Sequence, residues 1–95
     1  MTREEALAIV RKIEGLASTS EHDDLGAQDD ILLLVERLRD APGARDIVRE
    51  KISSIAKWTD ILFSERKRQT YGGELEVTEL LLHDCERLRA AIRGD

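Results

Sequence analysis

Apolar residues recur along this chain at intervals of three and four positions, and this pattern is interrupted three times. Spacing at i, i+3, i+4 and i+7 places apolar side chains on one face of an α-helix. The interruptions are the polar segment 18–24, the segment 40–43 that holds the single proline, and the glycine pair 72–73. The pattern therefore predicts four amphipathic helices. They are expected to cover residues 3–17, 26–39, 44–66 and 74–92.

The sequence also contains signals for helix ends. Thr2 and Glu5 match a capping box, in which a hydroxyl and a carboxylate three residues later each accept a hydrogen bond from a free backbone N–H. Gly94 is suited to cap the end of the last helix. The third helix is the longest and has a wide apolar arc, so we predict that it lies most centrally. Its central face carries Val48, Ile52, Ile55, Thr59 and Leu62.

Short connections between helices of this length favour an all-α fold, a four-helix bundle with antiparallel up-down-up-down topology. A chain of 95 residues suits one domain, so we assign residues 1–95 to a single helical unit. The alternative fold is a pair of helical hairpins that completes its core only by dimerising.

Composition narrows the class of protein. Hydrophobic residues make up 41% of the chain and charged residues 37%, a balance typical of globular rather than disordered proteins. No apolar run approaches the roughly 20 residues that span a bilayer, and residues 1–10 lack the apolar segment of a signal peptide. The single cysteine, Cys85, cannot form a disulfide within the chain. We therefore expect a cytoplasmic protein without a membrane partner.

Residues that could carry catalysis or hold a metal are few. Cys85 falls on the predicted core stripe of the fourth helix, where a thiol packs as a small apolar group. Glu79, His83 and Glu86 share one helix face at ligand-like spacing, but that face lies opposite the predicted core and favours surface ion pairing. His22 lies in an acidic loop without the ligand spacing of a calcium-binding loop. We predict no enzyme activity, cofactor, metal or small-molecule substrate.

Apolar residues at outward positions suggest a protein-binding surface instead. At about 100° per residue, Leu33 falls opposite the apolar stripe of its helix and Leu82 falls on the outer half of its own. Ile61 lies more than a quarter-turn from the central face of the third helix, beside Trp58, and tryptophan is enriched at interfaces. Single exposed apolar residues are also common without a function. The predicted interface residues are Leu33, Trp58, Ile61 and Leu82.

A basic segment offers a competing interpretation. Arg66, Lys67 and Arg68 lie close to Tyr71, and cations beside a stacking ring can hold single-stranded nucleic acid. Cations are also favourable at the end of a helix, where the dipole is negative. The formal net charge of −5 argues against nucleic-acid binding, which usually needs a basic surface.

These observations predict a small, non-catalytic protein–protein interaction module. It could act as an adaptor, as a self-assembling scaffold that includes a homodimer, or as an acidic inhibitor of the immunity type. Excess negative charge speeds association with a basic target, which favours the inhibitor role. The alternative is a nucleic-acid-binding regulatory protein that uses Arg66, Lys67, Arg68 and Tyr71.

Overall fold

The computed structural model describes residues 1–43 and 45–94, and this part of the chain contains five α-helices and no strand. The predicted all-helical class is therefore confirmed. A short 3₁₀ turn, Leu38–Asp40, follows the second helix directly. The helices are α1 (Arg3–Thr19), α2 (Leu25–Arg37), α3 (Arg45–Leu62), α4 (Glu65–Thr70) and α5 (Glu74–Arg93).

Side-chain and backbone caps define several helix ends. The predicted capping box of α1 is confirmed: the Thr2 hydroxyl accepts from the Glu5 backbone N–H at 3.1 Å, and the Glu5 carboxylate accepts from the Thr2 backbone N–H at 3.4 Å. The Asp24 carboxylate caps α2 by accepting from the backbone N–H of Gly26 at 2.9 Å. Gly94 ends α5 in the left-handed conformation, at φ +85°. These contacts satisfy N–H and carbonyl groups that a helix leaves free at its ends.

The third predicted helix is shorter than expected. One continuous helix over residues 44–66 was predicted, but α3 ends at Leu62 and the chain begins the separate short helix α4 at Glu65. Ser64 lies between them in an extended conformation, and its hydroxyl accepts from the backbone N–H of Lys67 at 3.5 Å. Serine favours this capping role over a place inside a helix, so the chain turns here even though apolar spacing continues.

A single hydrophobic core joins all four long helices. The predicted central face of α3 is confirmed, because each of its five side chains is buried. Thr59 is the polar member of that face, and its hydroxyl donates to the Ile55 carbonyl oxygen at 2.7 Å, so it adds no unsatisfied group. Each fully buried leucine or isoleucine contributes about 1.5–3 kcal/mol. The largest fully buried aliphatic side chains are Ile13, Ile31, Leu38, Ile55, Leu62, Leu81, Leu88 and Ile92.

The long helices form a ring of neighbours around this core. The largest helix–helix contact joins α3 to α5, α1 contacts both α2 and α5, and α2 contacts α3. The short helix α4 lies against α3 and α5. These core side chains are therefore buried within one copy of the chain. Among the residues described, no helix combines the length and the apolar character needed to cross a membrane.

One polar cluster is buried between α3 and α5. Asp84 is 7% exposed, and its carboxylate accepts a hydrogen bond from the Ser54 hydroxyl. The Lys51 ammonium group lies 3.5 Å from the other carboxylate oxygen. A buried carboxylate is costly unless it is paired and hydrogen-bonded, and these two partners meet that requirement.

The loop between α2 and α3 lies directly against α5. Gly43 has φ +124°, and a Cβ atom placed there would lie 2.5 Å from the Ala91 carbonyl oxygen. This distance is far inside van der Waals contact, so the loop can approach the α5 backbone only because residue 43 has no side chain.

Candidate functional site

Leu33 lies on the outer side of α2. Its side chain is 65% exposed, whereas its neighbour Leu34 is 7% exposed and belongs to the core. Ile31 and Val35 are buried on the same inner face as Leu34. The expectation that Leu33 points away from the core is therefore correct.

A groove between α1 and α2 places Leu33 in a concave setting. Leu33 and Leu34 line it from α2, and the half-buried Leu16 lines it from α1. The groove has a volume of about 470 Å³. We call it the Leu33 groove, and its lining residues are Lys12, Leu16, Asp30, Leu33, Leu34 and Arg37.

Charged residues flank Leu33 on the groove side of α2. Asp30 precedes Leu33 by three residues and Arg37 follows it by four, so all three lie on neighbouring turns of one helix face. At about 1.5 Å of rise per residue, the two charges are about 10.5 Å apart along the axis. Lys12 of α1 also lines the groove. Along α2, Leu33 therefore lies between an acidic side chain and a basic one.

The remaining predicted interface residues do not extend this exposed surface. Ile61 is 5% exposed, so the expectation that it faces solvent is wrong. Trp58 is half-buried and packs edge-on against the Tyr71 ring, with 5.2 Å between ring centroids. Tyr71 therefore packs on the edge of α3 that carries Trp58, and Ile61 follows Trp58 by three residues on that edge. Leu82 is half-buried on α5. Of the four residues predicted, Leu33 is the one that is largely exposed.

Other apolar side chains are exposed where the sequence analysis did not place an interface. They include Leu25 at 65%, Ile47 at 47%, Leu75 at 71% and Leu80 at 41%. Leu75 precedes Leu82 by seven residues, so helical spacing alone could have placed it on the same outer side of α5. Ile47 and Leu80 border the core positions Val48 and Leu81 of their own helices. Ile47 also lines a separate groove, of about 200 Å³, with Arg87, Ala90 and Ala91 of α5.

The basic segment is largely engaged in contacts within the chain. The Lys67 ammonium group donates to the Asp60 carboxylate at 2.7 Å. The Arg68 guanidinium donates to the backbone carbonyl oxygen of Leu62 at 3.1 Å and to that of His22 at 3.3 Å. These two cations therefore hold the α3–α4 region in place, and they offer less to a nucleic-acid backbone than the sequence suggests.

His22 has a structural role that the sequence analysis missed. Its ring is 7% exposed, lies edge-on to the Phe63 ring at a centroid distance of 5.4 Å, and donates from Nε2 to the Ala17 carbonyl oxygen at 2.8 Å. Its Nδ1 atom contacts the carboxylate of Glu74. No spacing rule predicts this burial, because the partners come from three different parts of the chain.

The residues weighed for catalysis and metal binding are separated or buried. Glu79, His83 and Glu86 are exposed on the outer side of α5. Within residues 1–43 and 45–94, no three His, Cys, Asp or Glu side chains are grouped closely enough to hold a metal ion.

Cys85 is inside the core, as the helix pattern predicted. Burial, aided by the negative charge of Glu14, raises the pKa of its thiol to about 12, although Arg89 partly opposes this shift. A thiolate is the reactive form of cysteine. The Cys85 thiol therefore stays protonated and unreactive at neutral pH.

Comparison of the chain with models of protein families, with curated proteins and with solved structures found no match. The Leu33 groove combines a largely exposed leucine with apolar surface from the core and with side chains of both charges.

Proposed function

We propose that this chain is a small, non-catalytic protein–protein interaction module that binds its partner through the Leu33 groove. The observation that carries the proposal is a leucine that is 65% exposed and lines a groove together with Leu16 and Leu34. Covering a leucine side chain fully contributes about 1.5–3 kcal/mol. A partner that fills this groove would gain that contribution and the contacts of the groove walls.

The shape and charge of the groove indicate the kind of partner segment it suits. Two packed helices with a furrow between them accommodate an amphipathic helix, which inserts apolar side chains at helical spacing. The groove carries both signs of charge, since Lys12 and Arg37 line it together with Asp30. Mixed charge favours an adaptor or scaffold role over an acidic inhibitor, which would present acidic residues to a basic target.

We also propose that the four long helices run up-down-up-down, as the short connections suggest. Two contacts support this topology. The loop between α1 and α2 meets the first residue of α5 through His22 and Glu74. The loop between α2 and α3 meets the end of α5 through Gly43 and Ala91. Because the two loops lie at opposite ends of α2, α5 would run in the same direction as α2 and opposite to α1 and α3.

Nucleic-acid binding receives less support from the side chains. Lys67 and Arg68 are engaged with Asp60 and with backbone carbonyl groups.

A reducing cytoplasm is the proposed location. Cys85 is a free, buried thiol, and domains this small that are secreted usually carry disulfides.

A pair of surface substitutions tests the proposed function. The wild-type chain and the variants Leu33→Asp and Ile47→Asp would each be tagged and used as bait. The proteins that each bait retains would then be compared, and a second copy of the chain counts among them. Ile47 is a matched control because it is exposed, apolar and on α3. We expect the wild type and Ile47→Asp to retain a common partner that Leu33→Asp loses, while circular dichroism shows all three folded. The proposal is wrong if no retained protein depends on Leu33.

A further inference from the structure

We infer that the Leu33 groove binds the same groove of a second copy of this chain, with the two α2 helices paired antiparallel about a two-fold axis. The inference rests on the proposed function and names its partner. A two-fold interface requires one surface to be complementary to itself. The shape of the Leu33 groove and the two charges that α2 contributes to it, Asp30 and Arg37, meet this requirement.

The shape is complementary because the groove combines a projecting side chain with a hollow. Leu33 projects from α2, and the furrow beside it is bounded by Leu16 of α1 and by Leu34. In a symmetric pair, Leu33 of each copy can enter the furrow of the other, so both exposed leucines are buried at once. Helices commonly pack by such interdigitation of ridges and grooves.

The charge is complementary in the antiparallel direction. The point midway between Asp30 and Arg37 along α2 falls between Leu33 and Leu34. A two-fold axis through that point places Asp30 of one copy opposite Arg37 of the other, and does so twice. A parallel pairing would instead place Asp30 opposite Asp30 and Arg37 opposite Arg37, which is unfavourable.

The other flank of Leu33 does not oppose this pairing strongly. Asp29 and Glu36 line that flank. The Glu36 carboxylate already accepts from the Arg39 guanidinium at 2.8 Å, which offsets the charge of Glu36. About a two-fold axis between Leu33 and Leu34, Asp29 falls opposite Leu38 and Glu36 falls opposite Ile31, so neither acid meets a like charge.

The small size of the groove suggests that the affinity of the proposed dimer is low. Stable interfaces bury at least about 1,000 Å² in total, and a contact through one groove on each copy is small beside that. We therefore expect a weak dimer, with a dissociation constant between about 1 µM and about 1 mM.

The test measures solution mass by sedimentation equilibrium between these concentrations. For the wild type, the average mass should rise from 10.8 kDa toward twice that value. Arg37→Glu and Asp30→Arg should each weaken dimerisation at least about tenfold, because each brings like charges together. The double variant Asp30→Arg with Arg37→Glu reverses both charges, and it should restore dimerisation. Ile47→Asp is the control and should dimerise like the wild type.

Each contrary outcome has a definite meaning. A wild-type mass that stays at 10.8 kDa at the highest concentration overturns the inference. The proposed function then still stands if a different protein is retained in a Leu33-dependent way. A dimer that Leu33→Asp and both single charge reversals leave unchanged also overturns it, because the contact must then lie elsewhere. Failure of the double variant to dimerise, while thermal unfolding shows it folded, overturns the antiparallel pairing.

Discussion

The Nδ1 atom of His22 contacts the carboxylate of Glu74, although the two residues are 52 positions apart in the sequence. This contact ties the loop before α2 to the first residue of α5. The same imidazole ring donates to the Ala17 carbonyl oxygen and lies edge-on to Phe63. One buried side chain in a loop therefore holds together segments from α1, from the end of α3 and from α5.

Replacing this ring should destabilise the fold. We expect His22→Ala to lower the free energy of unfolding by about 2–4 kcal/mol, because it leaves a cavity and removes the hydrogen bond to the buried Ala17 carbonyl oxygen. His83→Ala is the matched control: His83 is exposed, so its loss should change stability by less than about 0.5 kcal/mol. Urea unfolding followed by circular dichroism measures both values. Equal stabilities for the two variants would contradict the role given to His22.

Substitution by aspartate should unfold the domain at Leu34 but leave it folded at the adjacent residue Leu33. Leu34 is 7% exposed, so Leu34→Asp buries an unpaired carboxylate and should cost about 4 kcal/mol or more, enough to unfold the domain. Leu33 is 65% exposed, so Leu33→Asp should retain the helical signal and a melting temperature near that of the wild type. Thermal unfolding of both variants checks this difference. A molten Leu33→Asp protein would show that Leu33 contributes to the core.

Two glycines should also differ in their response to alanine. Gly15 lies inside α1, and a methyl group added to it would have no neighbouring atom within 4 Å, so Gly15→Ala should stabilise the chain by about 0.5–1 kcal/mol. Gly43 has φ +124° and touches the α5 backbone, so Gly43→Ala should destabilise it by about 2 kcal/mol or more. Denaturant midpoints for the two variants should therefore move in opposite directions. A shift of both midpoints in one direction would contradict this account.

The Cys85 thiol should be chemically silent until the protein unfolds. At pH 8 we expect a disulfide reagent to label Cys85 only at the rate of opening of the core, and to label it quickly in urea. Rapid labelling of the folded chain would show that the thiol is accessible.

The same thiol should make stability depend on pH in the alkaline range. Burial raises its pKa from an ordinary value near 9 to about 12, so the unfolded chain releases this proton at lower pH than the folded chain. Its contribution to stability is therefore complete below about pH 9 and is lost as pH rises toward about 12. Because Cys85→Ala removes this group, its stability should fall less steeply than that of the wild type between pH 9 and pH 11. Parallel stability profiles for the two proteins would contradict the shift.

Features set by local sequence could be predicted well. The capping box of Thr2 and Glu5 depends only on residues three apart, and the buried face of α3 follows from apolar spacing along one helix. Exposure of Leu33 follows in the same way, because it lies opposite the core face of α2. The part of the candidate site that α2 alone determines was therefore accessible from sequence.

Features that depend on neighbouring elements could not be predicted in this way. Helical spacing places Ile61 away from the α3 core face, but it does not reveal that Ile61 is buried, because its burial depends on parts of the chain outside α3. His22 is surrounded by acidic residues in sequence and yet is buried by contacts with distant segments. Likewise, the furrow beside Leu33 exists only because α1 supplies Leu16 from a separate helix.

The polar cluster between α3 and α5 has a consequence for how these helices align. Aliphatic side chains resemble one another, so a shift by one helical turn, about 5.4 Å, would still place apolar groups against apolar groups. The same shift would carry Asp84 away from Ser54 and Lys51 and leave its carboxylate buried among aliphatic groups, which is strongly unfavourable. Hydrophobic packing holds α3 and α5 together, and the three polar side chains of this cluster add a strong preference for the observed register.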